Sequence, residues 1–264
     1  MAAYQKLIEL IKSKKTLLCV GLDTDLDKIP EVFPKNSSGI VEFNKEIIEA
    51  TKELAIAYKI NFAFYEQYGV AGYKALYDTF KAIPPSHFVI ADAKRGDIGN
   101  TSMAYAKSIF DYFNADSITV NPYMGYDSLS PFFNYKDKII FILALTSNQG
   151  AFDYQKQKIN NQDLYKLVIT KTSVSYNFEQ TGYVVGATHP DEIVEVRKLV
   201  PLHLLLIPGI GAQGGDIDSV LKANGNSPAI VNVSRAIIYP DGNGEYFERV
   251  RNKAEYYSKA LKFS

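Results

Sequence analysis

Asp92-Ala-Lys-Arg-Gly-Asp sets an acid, a base and a second acid in quick succession, directly after the apolar run His87-Phe-Val-Ile-Ala. Side chains two apart on a strand share a face, so Phe88, Ile90, Asp92 and Lys94 are expected to point together. A face that begins apolar and ends in charges is costly to bury unless those charges pair with one another, so folding alone does not ask for it. Lys59, near the end of another apolar run, extends the pattern into an expected array of alternating sign: Lys59, Asp92, Lys94 and Asp97. Mutual pairing keeps every member ionised. An ammonium held in that way is a poor nucleophile and cannot form a Schiff base, which needs the neutral amine. It is a well-placed proton donor to a strongly basic carbon.

A second constellation is Pro208-Gly-Ile-Gly-Ala-Gln-Gly-Gly, which follows the apolar run Leu204-Leu-Leu-Ile. Without Cβ atoms in the way, backbone N–H groups can approach an anion, and the next helix adds a favourable dipole. Arg235, just past the run Ala229-Ile-Val-Asn-Val, can offer a bidentate fork to the same phosphate.

The elements that must carry these residues alternate along the chain. Apolar runs at 16–22, 55–60, 87–91, 117–120, 139–145, 183–187, 204–207 and 229–233 read as strands. Helical patterns are expected over 3–14, 39–51, 67–82, 99–113, 126–134 and 162–179, from Thr188 onward, and over 243–261. The least regular stretch is 149–161, rich in Gln, Asn and Lys. Eight strand–helix units without a dividing linker predict an α/β protein of one domain over 1–264, a (β/α)8 TIM barrel. An open doubly wound sheet is the alternative on counting alone. The first strand carries no G-x-G-x-x-G, which disfavours a dinucleotide fold. In a barrel, Asp23, Lys59, Asn61, Asp92, Lys94, Thr146, Ser147, Gln213 and Arg235 would each stand at or just past the C-terminal end of a strand. That rim is where barrel enzymes keep their active sites, with phosphate gripped after strands seven and eight.

Composition narrows the partners. Lys plus Arg and Asp plus Glu both number 29, so no basic stripe invites nucleic acid and no charged tail invites a membrane surface. The N-terminus lacks a signal-peptide apolar region, and no apolar run approaches membrane-spanning length, so a cytoplasmic protein is expected. The one cysteine, Cys19, lies in an apolar run and reads as a buried, inert thiol. Three scattered histidines show no metal-ligand spacing, and no metal is expected.

The pattern D-x-K-x-x-D-[IV]-x-x-T, met by Asp92, Lys94, Asp97, Ile98 and Thr101, resembles that of the orotidine 5′-phosphate decarboxylase family, along essentially the whole chain. Ala-Lys-Arg-Gly-Asp-Ile and the Thr146-Ser-Asn turn are similar to its longer, type 2-like subgroup. The resemblance implies cofactor-free conversion of orotidine 5′-monophosphate to uridine 5′-monophosphate and carbon dioxide, the last step of pyrimidine-nucleotide synthesis. It implies that Lys94 protonates C6, that Asp92 lies against the substrate carboxylate, and that Lys59 and Asp97 complete the charge network. Asp97 and Thr101, with Ile98 between them, would reach the site of a partner in a homodimer. Asp23 and Asn61 would contact the ribose or base, and Thr146 or Ser147 the pyrimidine edge. Pro208, Gln213, Gly214, Ser234 and Arg235 would hold the phosphate. One rival is a magnesium-dependent sugar-phosphate decarboxylase or aldolase of the same barrel suprafamily, which carries an acidic metal ligand where Lys59 stands. The other is a non-catalytic barrel that binds a phosphate ligand.

Overall fold

Short apolar runs separated by helices pair side by side in parallel, because each helix carries the chain back to the same edge of the sheet. The computed structural model describes residues 1–188, 190–211 and 215–263. Its strands are β1 Leu18–Gly21, β2 Ala57–Asn61, β3 Phe88–Arg95, β4 Ser117–Val120, β5 Ile139–Leu145, β6 Thr181–Val185, β7 Leu204–Pro208 and β8 Ala229–Val233. They close in the order β1-β8-β7-β6-β5-β4-β3-β2, with every pairing parallel. The (β/α)8 barrel is therefore the fold, and the open-sheet alternative falls. Strands covered by helices outside and by one another inside must be apolar on both faces. Accordingly β1, β4, β6 and β8 are buried from end to end.

The longer helices are α1 Ala3–Lys14, α2 Ser37–Thr51, α3 Gly69–Ala82, α4 Gly99–Lys107, α5 Tyr126–Phe133, α6 Leu164–Ser175, α7 Pro190–Leu199, α8 Ile217–Asn224 and α9 Tyr246–Ala260. Helix α1 precedes the first strand and covers the opposite end of the barrel from the polar rim. It buries Leu7 and Ile11, and Lys6 pairs at 2.8 Å with Asp116, whose Oδ2 also accepts the Val89 N–H at 2.9 Å. Both strand starts are thus tied to α1.

Several boundaries differ from the sequence expectation by a few residues, and two of the differences have a clear packing reason. The helix expected over 99–113 is α-helical only to Lys107 and then widens into a π turn, Ser108–Tyr112. That widening seats Phe113 against Phe62 and Phe80, at ring-centroid distances of 5.3 and 4.9 Å. The helix expected over 162–179 stops at Ser175, because Tyr176 swings into extended backbone and stacks on Phe133 at 3.6 Å. Strand β3 runs on from its apolar half through Asp92 and Lys94 to Arg95. The irregular stretch after β5 contains a 3-10 turn, Gln149–Phe152, and a small antiparallel hairpin pairing Lys158–Ile159 with Gln162–Asp163. Among the described residues, no helix is long and apolar enough to cross a membrane.

Candidate active site

Closure of the barrel gathers the ends of the strands around one cavity of about 330 Å³. Asp23 reaches it from beyond β1, Lys59 and Asn61 from β2, and Asp92 and Lys94 from β3. Thr146 and Ser147 enter after β5, Pro208 from the end of β7, and Ser234 and Arg235 after β8. Leu143, Val184 and Leu206 give the cavity an apolar wall. Gln213 and Gly214, expected in the phosphate grip, lie outside the described residues.

The electrostatic centre is the Asp92 carboxylate, which is almost wholly buried. Its Oδ2 takes the Lys59 ammonium at 2.9 Å, and its Oδ1 takes the Lys94 ammonium at 2.7 Å and the Thr119 hydroxyl at 2.9 Å. Burial pushes the Asp92 pKa upward, but the two lysines outweigh it and hold the carboxylate well below the usual range. For Lys59 the balance has the same form. Burial would lower its pKa, yet Asp23 at 3.5 Å and Asp92 together raise it above that of an ordinary lysine. Lys59 is therefore a fixed cation. Lys94 differs from it in access: its side chain is 47% exposed, against 5% for Lys59. Of the two ammonium groups on Asp92, Lys94 is the one that can meet a reactant.

Lys94 gains that access through a break in the sheet. Between the pairs Ala91↔Ile118 and Arg95↔Val120, β3 advances four residues while β4 advances two. The excess is a bulge, a device that re-aims side chains next to functional sites. Within it Lys94 takes φ 48°, a left-handed conformation that costs a non-glycine residue roughly 1–3 kcal/mol. The strict alternation expected for Phe88, Ile90, Asp92 and Lys94 is thus interrupted, although Lys94 still returns its ammonium to Asp92. Arg95 leaves the cavity and pairs with Glu66, over the rings of Phe62 and Tyr105.

The expected four-membered array needs a correction within one chain. Its fourth member beside Lys59, Asp92 and Lys94 is Asp23, not Asp97. Asp97 follows the bulge, turns its Oδ1 to the Ile98 N–H at 2.8 Å, and is absent from the cavity lining. Ile98 is 57% exposed and Thr101 is exposed, so these two residues of the motif face solvent.

After β5, the Gln155 side chain grips Thr146 by its backbone N–H at 2.7 Å and by its hydroxyl at 2.9 Å. Gly186 lets this segment approach, since a Cβ there would stand 2.8 Å from the Ser147 nitrogen. On the opposite side Gly209, at φ 110°, makes the turn out of β7 that carries the chain past the cavity. Ser234 lines the cavity but donates its hydroxyl to the Gly21 carbonyl at 3.0 Å, tying the end of β8 to that of β1. Cys19 is fully buried, with its pKa pushed up by burial, as an inert thiol should be.

Three polar cavity residues escaped the sequence reading: Thr119, Asn148 and Asn232. Thr119 and Asn232 are polar residues inside the apolar runs Ser117-Ile-Thr-Val and Ala229-Ile-Val-Asn-Val. A polar side chain in a strand buried on both faces was the available signal.

The family model described as "Orotidine 5'-phosphate decarboxylase / HUMPS family" matches residues 16–249. The orotidine 5'-phosphate decarboxylase of Phocaeicola vulgatus is 51% identical over 243 residues, covering 90% of this chain and 89% of that protein. A solved structure of Leishmania donovani OMP decarboxylase superposes with a TM-score of 0.86 at 38% identity, covering 100% of both chains. Leishmania donovani UMP synthase gives a TM-score of 0.88 at 39% identity; the match covers 99% of this chain but 56% of that longer one.

Proposed function

The chain belongs to the orotidine 5′-phosphate decarboxylase / HUMPS family, and from that membership we propose that it converts orotidine 5′-monophosphate to uridine 5′-monophosphate and carbon dioxide. The observation that carries this reading is the Asp92 carboxylate clamped between a buried lysine and an accessible one in the lining of a cavity. Loss of carbon dioxide leaves the bonding electron pair on C6 of the pyrimidine, in an orbital that the ring cannot delocalise. The protein must meet that charge with groups already in place. Lys94 brings its proton to C6, and the electron pair becomes the new C–H bond. Asp92 lies against the departing carboxylate. Lys59 holds Asp92 ionised, and Asp23 holds Lys59.

The remaining lining fits a nucleotide. Asn61 and Asp23 serve the ribose or base, and Thr146 or Ser147 the pyrimidine edge. Pro208, Gln213, Gly214, Ser234 and Arg235 serve the phosphate, with the Ser234 contribution through its backbone because its hydroxyl is engaged by Gly21. Asp97, Ile98 and Thr101 act in the site of a second copy. Their outward position supports this, as do the exposed side chains of Tyr123 and Met124 on the neighbouring rim. The magnesium-dependent alternative is disfavoured by the donor set: both oxygens of Asp92 already hold ammonium groups, and a lysine stands on β2 where that chemistry needs an acid.

The test is turnover of orotidine 5′-monophosphate by protein dialysed against EDTA, followed by absorbance loss and by uridine 5′-monophosphate formed. Turnover unchanged by chelation is expected. Activity that vanishes and returns with magnesium would transfer the assignment to the sugar-phosphate branch. No turnover under either condition would leave a phosphate-binding barrel.

A further inference from the structure

Opposite the bulge of β3 stands one residue of β4, Thr119, almost completely buried. Its hydroxyl oxygen accepts the Lys94 backbone N–H at 3.0 Å. Its proton goes to Asp92 Oδ1 at 2.9 Å, the same oxygen that receives the Lys94 ammonium at 2.7 Å. The bulge withdraws the Lys94 amide from the regular ladder between β3 and β4, and a buried donor without a partner is costly. One hydroxyl therefore answers both needs created by the bulge. It satisfies the backbone of the strained lysine, and it fixes the carboxylate that orients the ammonium at the other end of that lysine. A hydroxyl has one proton to give. With the Lys94 N–H directed at its oxygen, the proton is left for Asp92.

We infer that Thr119 is a positioning residue for the decarboxylation: by bridging the Lys94 backbone and the Asp92 carboxylate it holds the Lys94 ammonium at the point of proton delivery. The inference rests on the reading of Lys94 as the proton donor. Thr119 acts through its neighbours, so its contribution belongs to the chemical step and not to substrate affinity. Serine keeps the hydroxyl and drops only the methyl group.

The experiment compares Thr119→Val, Thr119→Ser and Lys94→Ala with the wild type in orotidine 5′-monophosphate turnover, far below the melting temperature of each. Thr119→Val should lower kcat by about 10- to 100-fold, the scale expected when a catalytic group is displaced by up to 1 Å. KM should stay within about threefold of the wild-type value, because the phosphate and ribose contacts are untouched. Thr119→Ser should recover most of kcat. A Thr119→Val enzyme with wild-type kcat, a defect confined to KM, or a serine variant as impaired as the valine one would each overturn the inference. If the valine variant does not fold, Thr119→Cys, close in size but a weak donor, is judged by the same criteria. Lys94→Ala separates the two levels. If it remains active, the reading of Lys94 falls; if it is inactive while Thr119→Val is not, only the role of Thr119 falls.

Discussion

Two lysines hold one carboxylate at this site, and the difference between them is a matter of access rather than of chemistry. Lys59 is sealed between Asp23 and Asp92 and serves as a fixed positive charge, whereas Lys94 is half exposed on a strained bulge. Preorganised charge of this kind does its work without reorganising during the reaction. Arg235 stands farther out on the same cavity rim, after β8. On the proposed reading it holds the phosphate, and that distant contact assists catalysis only if it is realised in the transition state. Arg235→Ala should therefore lower kcat/KM by roughly 2–5 kcal/mol, as for the loss of one side of a hydrogen-bonded charge pair. The phosphate-free nucleoside orotidine should suffer far less from the same change. Equal damage with both substrates would mark Arg235 as structural.

Among the elements, the two ends of the strands have opposite tasks. At the C-terminal ends polar groups converge on the cavity; at the N-terminal ends they are tied off by helices. His203 stands at one of the N-terminal ends, where its backbone is tied to a helix but its ring is not. It precedes β7, is buried beside the rings of Tyr183 and Phe178, and neither ring nitrogen has a hydrogen-bond partner. Its backbone carbonyl accepts from Arg197 at 2.7 Å. Burial, and then the Arg197 charge, bring its pKa down to about 4. The folded value lies below that of an unfolded histidine, about 6.5, so the unfolded chain takes up a proton first as the pH falls. The associated stability is fully present above about pH 6.5 and is lost as the pH falls toward 4. In His203→Leu, with no buried hydrogen bond to lose, Tm should decline less between pH 7 and pH 5 than in the wild type. Parallel Tm profiles would show that His203 does not govern this limb.

At the scale of the whole molecule the decisive residue is Asp97. Within its own chain it sits beyond the bulge and off the cavity, although it belongs to the same short motif as Asp92 and Lys94. The proposed homodimer gives it a site in the partner. Lys94→Ala and Asp97→Ala homodimers should then each be nearly inactive, for different reasons. A mixed dimer would combine both lesions in one site and neither in the other. Random subunit exchange makes half of all dimers mixed, so recovered activity should approach about a quarter of wild type. Exchange demonstrated by mass, yet without recovery, would mean that Asp97 serves its own chain.

Local pattern in the sequence determined the alternation of strands and helices, the single ring of eight units, and the gathering of Asp23, Lys59, Asn61, Asp92, Lys94 and Arg235 at one rim. Those features follow from periodicity and from position along a strand, both of which are short-range. Family resemblance then supplied the substrate. Other features depended on contacts between segments far apart in the chain. The bulge in β3 arises from its register against β4, so the sequence of β3 alone reads as unbroken alternation. Thr119 and Asn232 became cavity residues only when their strands took their places in the closed sheet. The Ser234 hydroxyl, which the sequence alone leaves free for a phosphate, turns to Gly21 because barrel closure sets β8 beside β1. Polar groups choose partners by distance in space, and in a closed barrel that distance is settled by the last strand meeting the first.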